Sequence, residues 1–210
     1  MRTRDRFYFA CLRDTVGTNM TFHGKGGAGY PTDLDKAEIL TKKEAQRFWE
    51  LGREFDLPVD ADLVDAHAVF HVDCQHIPHE STTVDGCTQY VAYIKRKWNG
   101  NDVYWLTQTG ENSTDFLKAK VFAAPVVEEG VVCIPFFMAD AKKRRTFDLG
   151  FLNKRTMVQG AGLVTPAHVK RDLRRKSTSG KTRVNCPDCG KINWQHNYHE
   201  FESCAHCGAS

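Results

Sequence analysis

The sequence predicts an α+β body of mostly antiparallel sheet, with an internal duplication and at least one packed helix, followed by a small cysteine-clamped C-terminal module. Three observations carry this expectation. Apolar residues alternate in short runs closed by Gly, Asn and Asp, which is strand-and-turn patterning. Residues 8–40 align without a gap on residues 90–122 when the chain is shifted by 82. Eight cysteines are present, and the last four fall in two C-x2-C pairs.

The duplication makes the first elements legible. Tyr8-Phe9-Ala10-Cys11 meets Tyr90-Val91-Ala92-Tyr93, and Thr32-Asp33-Leu34-Asp35-Lys36-Ala37 meets Thr114-Asp115-Phe116-Leu117-Lys118-Ala119. Seven of these 33 pairs are identical. Asn99-Gly100 between aromatic-rich runs predicts a two-residue hairpin turn, with Val16-Gly17-Thr18-Asn19 as its counterpart. Each unit then reads strand, turn, strand, loop, short helical turn, strand, with a capping box over Thr32-Asp33-Leu34-Asp35. A second capping box, Thr41-Lys42-Lys43-Glu44, opens a helix that turns Ala45, Phe48, Trp49, Gly52 and Phe55 to the core and ends before Pro58. Residues 65–74 alternate as a half-buried strand, with Ala68, Phe70, Val72 and Cys74 inward and His67, His71 and Asp73 on a wet face. Val131 to Ile134 reads as another strand. Thr165-Pro166 is a helix-start signature for a helix running to about Lys176, and Ser177 to Lys181 reads as a linker.

Length and composition set the outer limits. The chain has 210 residues, 41% of them hydrophobic and 26% charged, enough to bury a core without disulfides. No apolar run approaches the roughly 20 residues of a membrane helix. The charged N-terminal stretch lacks an apolar signal core. The expectation is a cytoplasmic protein with no membrane partner. The net charge of +3 hides an asymmetry: residues 141–185 hold thirteen Lys/Arg against two Asp/Glu, while residues 1–80 hold ten against fourteen. Such a basic block is the footprint of a polyanion-binding element or of a solvated basic linker.

Cys186-Pro187-Asp188-Cys189-Gly190 and Cys204-Ala205-His206-Cys207-Gly208 leave 14 residues between the two pairs. Two thiolates three positions apart grip one side of a tetrahedral ion, and a second pair completes it. Cys186, Cys189, Cys204 and Cys207 are therefore the expected ligands of one structural Zn2+. Four protein ligands leave no open position for catalysis. An iron–sulfur cluster uses the same ligand number, and His196, His199 and His206 could compete as ligands. A segment of about 25 residues cannot build an adequate core, so metal binding would supply its folding free energy. The segment resembles the C-P-x-C-G…C-x-x-C-G zinc-ribbon class, which implies binding to nucleic acid or protein.

The domain reading follows: a duplicated body over residues 1–140 (units about 7–57 and 89–140), a basic segment over 141–185, and the ribbon over 186–210. Lys142, Lys143, Arg144 and Arg145, together with Lys170, Arg171, Arg174, Arg175 and Lys176, are the candidate phosphate contacts; Trp194 and Tyr198 are candidate stacking residues. The leading expectation is a non-enzymatic, zinc-dependent nucleic-acid-binding protein, on DNA or RNA. A protein-interaction inhibitor or adaptor acting on a host enzyme is the alternative. A metal-dependent nuclease or hydrolase is a third reading, drawn from His71, Asp73, Cys74, His76, His79 and Cys87, with Asp65, His67, His71 and Asp73 as an acid/base set. Gly24-Lys25-Gly26-Gly27-Ala28-Gly29 matches G-x-G-x-x-G, but Tyr30-Pro31 follows where a long helix should open, so it reads as a loop. Gly29-Tyr30-Pro31-Thr32-Asp33-Leu34-Asp35-Lys36-Ala37, followed by Thr41-x-x-Glu44-Ala45, also resembles small phage- and prophage-encoded proteins of unknown role.

Overall fold

A computed structural model describes residues 4–175, 180–196 and 200–210, with backbone alone for 172–175. The chain forms two compact units, Met1–Val164 and Thr165–Ser210. The first takes in residues 141–164, the leading part of the basic segment.

The larger unit is α+β, and its sheets are antiparallel throughout. Strand β1 (Phe7–Val16) pairs with β2 (Asn19–Phe22) as a hairpin, with β3 (Ile39–Leu40), and with β4 (Asp56–Asp60). Between β3 and β4 lies helix α1 (Lys42–Leu51), opened by the expected capping box: Thr41 accepts from the Glu44 amide, and Glu44 accepts from the Thr41 amide. After β4 come the short helix α2 (Ala61–Ala66) and strand β5 (Val69–Val72). The second half runs β6 (Tyr90–Asn99), β7 (Asp102–Leu106), the short β8 (Asn112–Ser113), β9 (Val131–Pro135), helix α3 (Phe136–Asp140) and β10 (Lys143–Thr146); it lacks a counterpart of α1, β8 pairs with β7, and the Tyr90/Phe122 bridge stands where Phe7 meets Leu40 of β3.

Register refines the duplication. Phe7 pairs with Asp60 in the first half where Tyr90 pairs with Pro135 in the second. The hairpin ends are Val16↔Asn19 and Asn99↔Asp102. Both hairpins are therefore offset by 83, not 82, so Tyr90 answers Phe7 rather than Tyr8, and Ile94 rather than Tyr93 answers Cys11. The offset returns to 82 at the single turns Leu34–Lys36 and Phe116–Lys118, because the second copy's intervening loop is one residue shorter. A one-residue slip flips every side chain of a strand to the other face, so the correction decides which residues are equivalent in the core. The turn residues shift likewise: Gly100-Asn101, not Asn99-Gly100, occupy the second turn. The repeat also runs further than the expected units, over residues 7–76 and 90–151, because β4-α2-β5 matches β9-α3-β10 at an offset of 75.

Four of the single helical turns in the two halves are each capped by an aspartate accepting the amide two residues on. Asp33, Asp73, Asp115 and Asp148 serve Asp35, Gln75, Leu117 and Gly150. Thr32 is thus not the cap that the sequence suggested. Helix α1 ends earlier than expected; Ala45 and Trp49 are buried, Phe48 is exposed, and Pro58 lies within β4 on the end of its sheet.

The halves interlock. β5 pairs with β10, matching Val69 to Thr146, Phe70 to Arg145 and His71 to Arg144. With the offset of 75 this register maps onto itself, which places a pseudo-twofold through the Phe70/Arg145 pair. Each of these strands also runs on to the other half's hairpin. Cys74 donates its amide to Asn101 O at 2.8 Å, and Leu149 donates to Thr18 O at 2.9 Å. Val72 and Cys74 from the first repeat, with Ile77 just after it, pack into a core with Val91, Tyr93, Val103, Trp105, Phe116 and Ile134 of the second. The hairpin tips abut at Gly17 and Gly100, whose φ values are 61° and 63°.

The smaller unit holds helix α4 (Ala167–Arg175) and a two-stranded hairpin, β11 (Thr182–Asn185) with β12 (Ile192–Gln195). The helix begins just after Thr165-Pro166, as expected. Of the expected linker over Ser177 to Lys181, residues 177–179 lie outside the described residues.

Candidate metal centre and basic surface

β11 delivers the chain into the first cysteine pair, and β12 carries it away toward the second. Both pairs fold alike. Cys186 donates its amide to Lys191 O and Cys204 donates to Ala209 O, at 2.9 and 2.7 Å. Gly190 and Gly208 donate back to the carbonyls of Cys186 and Cys204, at 3.0 and 2.9 Å. Those glycines carry φ of 69° and 78°, a conformation costly for other residues, which is why one follows each pair.

The two folded pairs bring Cys186, Cys189, Cys204 and Cys207 together with all four sulfurs within 4.8 Å of one another. Cys186 Sγ lies 3.7 Å from Cys207 Sγ, and Cys189 Sγ lies 3.6 Å from Cys204 Sγ. A tetrahedron with metal–sulfur bonds of about 2.3 Å has an edge of about 3.8 Å, so the sulfurs already stand at metal-binding spacing. They are too far apart for disulfides, whose bond is about 2.05 Å. Among the described residues this is the one group of three or more His, Cys, Asp or Glu ligands that converges. His206 contributes its backbone amide instead of its ring.

The sulfurs are supported by N–H donors. The Cys189 amide reaches Cys186 Sγ at 3.4 Å; the amides of His206 and Cys207 reach Cys204 Sγ at 3.3 and 3.4 Å. Asn193, buried on the inner face of β12, donates Nδ2 to Cys204 Sγ at 3.4 Å and accepts the Ala205 amide at 3.0 Å. Burial pushes the Cys204 thiol up, but these amides and the Asn193 side chain outweigh it and bring the group down to about 5. N–H donors of this kind favour negative charge on a sulfur, as metal coordination by cysteine requires. The sequence reading missed Asn193 and its inward neighbour Gln195. The signal was there: polar residues stand at the inward positions of an alternating strand whose outward positions are Ile192 and Trp194.

The expected binding residues separate into four sets. Arg144 and Arg145 are held by carboxylates of their own unit. Arg144 is 13% exposed; its guanidinium lies 2.6 Å from Asp102, and its Nε donates to Thr32 Oγ1. Arg145 bridges Asp35 at 3.0 Å and Asp65 at 2.5 Å. Lys143 pairs with Asp140 at 2.5 Å and sits over the Phe70 ring, while Lys142 is exposed beside it. Lys170, Arg171 and Trp194 are exposed in the smaller unit. The side chains of Arg174 and Arg175, and all of Lys176 and Tyr198, lie outside the described residues.

The His/Asp strand is also corrected. His71 is 3% exposed, not on a wet face. Its Nδ1 lies 2.8 Å from Asp102 and 2.9 Å from Thr146 Oγ1, and its Nε2 faces Thr114 Oγ1. Asn19 donates to the same Asp102 at 2.5 Å. Burial raises the Asp102 carboxyl, but His71, Arg144 and Asn19 together hold it below its ordinary value. The cluster joins the two hairpins to β5 and β10. Asp65 is taken by Arg145, Arg6 and Tyr8; His67 stacks on Phe151; Asp73 caps its turn. The glycine-rich stretch is a loop closed by a Gly24-to-Gly29 hydrogen bond, with a single turn at Lys25–Gly27.

No protein-family model, curated protein or solved structure matches the chain. Among the described residues no helix is long and apolar enough to cross a membrane.

Proposed function

We propose that the protein is a zinc-dependent nucleic-acid-binding protein whose contact surface is the smaller unit. Four cysteine sulfurs at tetrahedral spacing, with no histidine or carboxylate among them, suit a structural Zn2+. The observation that carries the reading is the outward face of the ribbon hairpin. Trp194, 61% exposed, stands directly across from Arg183 in the register, with Ile192 two residues away on the same face. An indole left in water on a two-stranded ribbon is costly unless it meets something flat, and every base offers a π-face. Arg183, Lys181 and Lys191 are exposed around it, and residues 165–210 hold eight Lys/Arg against four Asp/Glu. Phosphate affinity then belongs to α4 and the ribbon: Lys170, Arg171, Arg174, Arg175 and Lys176 are its cations.

Binding of a labelled single-stranded oligonucleotide, followed by fluorescence anisotropy over a salt series, tests the reading. Trp194→Ala is expected to weaken binding by about 1–3 kcal/mol with little change in salt slope. Replacing Arg174, Arg175 and Lys176 by alanine is expected to flatten the slope by roughly one for each phosphate that the variant leaves unneutralised. An unchanged slope, or no binding at low salt by the zinc-loaded protein, refutes it.

A further inference from the structure

The duplication departs most widely after β3, and a cavity lies there. Helix α1 follows β3 in the first half, whereas residues 119–130 of the second half form no helix. Between α1, the 24–29 loop and β1 is a cavity of about 580 Å3, within the range of small-molecule sites.

Its walls come from two kinds of residue. Phe48 and Leu51, three apart on α1, face it while remaining 48% and 76% exposed. The inward face of the same helix is already satisfied by Ala45 and Trp49. Apolar residues on a second face of a short helix have no core to join, yet these two line a concavity. Phe9 adds an aromatic wall, with its ring stacked on His23 at 4.5 Å and 29° and 6.1 Å from Phe48.

The polar side of the cavity is negative. His23, Glu38 and Asp56 line it, and among the described residues no lysine or arginine does. Asp56 is balanced: it meets His23 Nε2 at 3.0 Å and Arg53 Nε at 3.2 Å. Glu38 is not. One of its oxygens accepts the Gly26 amide at 2.9 Å, and among the described residues no cation pairs with it. A carboxylate without a counter-ion beside aromatic faces attracts positive charge twice over, by Coulomb attraction and by the ring quadrupoles.

We propose that this cavity binds a small organic cation, an amidinium or ammonium group on a flat apolar body, with Glu38 as its counter-ion and Phe9 and Phe48 against its body. The inference is independent of nucleic-acid binding, because every residue it uses lies in the larger unit.

An isosteric charge series on the full zinc-loaded chain tests it: benzamidine, benzamide and benzoate, titrated by amide-detected NMR. Benzamidine is expected to bind at least tenfold more tightly than benzamide, with benzoate not binding. The shifted signals should be those of Gly26, Gly27, Glu38 and Phe48. Glu38→Gln keeps an acceptor for the Gly26 amide and should bring benzamidine and benzamide within twofold of each other. Phe48→Ala should weaken both. Equal binding of benzamidine and benzamide to the unaltered chain, preference for benzoate, shifts confined to other residues, or no binding of any probe overturns the proposal without recourse to a variant.

Discussion

Gly17 and Gly100 show how much of this fold rests on single atoms. Both adopt a left-handed φ, and each turn sits against the other's backbone. A Cβ on Gly17 would lie 2.6 Å from the Asn99 carbonyl carbon; one on Gly100 would lie 2.6 Å from that of Val16. Neither neighbour is the free end of a side chain, so neither can give way cheaply. Gly26 has the same backbone conformation, at φ 62°, with nothing within 4 Å of its added Cβ. The pair separates conformational strain from contact. Gly26→Ala should cost about 1–2 kcal/mol, the strain alone. Gly17→Ala should cost roughly 3 kcal/mol or more, because overpacking against backbone adds to that strain. Urea unfolding of the two variants measures both; equal losses would mean that the tips do not press together. Arg144 makes the complementary point about charge. A largely covered cation is tolerated because Asp102 meets it at 2.6 Å and His71 and Asn19 complete the carboxylate's shell.

At the level of strands, the aromatic residues of β1 and β6 carry both packing and titration. The Tyr8 hydroxyl donates to Asp65 at 3.0 Å, and the Tyr93 hydroxyl donates to the Pro78 carbonyl at 2.6 Å. Burial pushes both phenols up to about 12, with Asp65 adding to the effect at Tyr8, and Cys74 and Glu80 adding to it at Tyr93. Unfolded tyrosine ionises near pH 10, so the unfolded chain releases its protons first. The stabilisation is complete below about pH 10 and drains away as pH rises toward 12. The urea midpoint of the unaltered protein should therefore fall between pH 10 and 11, and should fall less in the Tyr8→Phe, Tyr93→Phe double variant; equal falls would assign alkaline lability to other groups. The same strands show what sequence patterning can resolve. The capping box at Thr41, the hairpins, the repeated Thr-Asp-x-x-Lys-Ala turn and the cysteine pairs were legible because each is a local contract between residues a few positions apart. The one-residue register error was not, because identical residues in the Thr32 stretch fixed an offset that the shorter loop of the second copy breaks upstream. The carboxylate partners of Lys143, Arg144 and Arg145 were not legible either, because Asp140, Asp35, Asp65 and Asp102 include three that only the tertiary fold brings near.

Across the whole chain, the charge asymmetry has two different causes. In Met1–Val164 part of the basic run is the counter-charge of the acidic body, so it strengthens a joint between repeats rather than a surface. In Thr165–Ser210 the cations gather around a module with little apolar interior, where Cys186 and Cys204 are among the few buried groups. On the zinc reading proposed above, the two units draw stability from different sources: packed aromatic and aliphatic residues in one, metal–sulfur bonds from the four clustered cysteines in the other. A structural zinc site contributes binding free energy of about 10–16 kcal/mol in peptides of this kind, far more than a 25-residue core could. Removing the metal from the intact protein with a strong chelator should collapse the amide NMR signals of residues 181–196 and 200–210 toward unfolded positions, while those of β1, β6 and the helices of the larger unit persist. Restoring Zn2+ should bring them back, and Co2+ in its place should give the intense sulfur-to-cobalt absorption of a four-thiolate tetrahedral site. Retention of the ribbon signals after the metal has been stripped would show that hydrogen bonds such as those from Asn193 hold the two cysteine pairs without an ion, and the module would then have to be understood as a folded hairpin that happens to carry four close thiols.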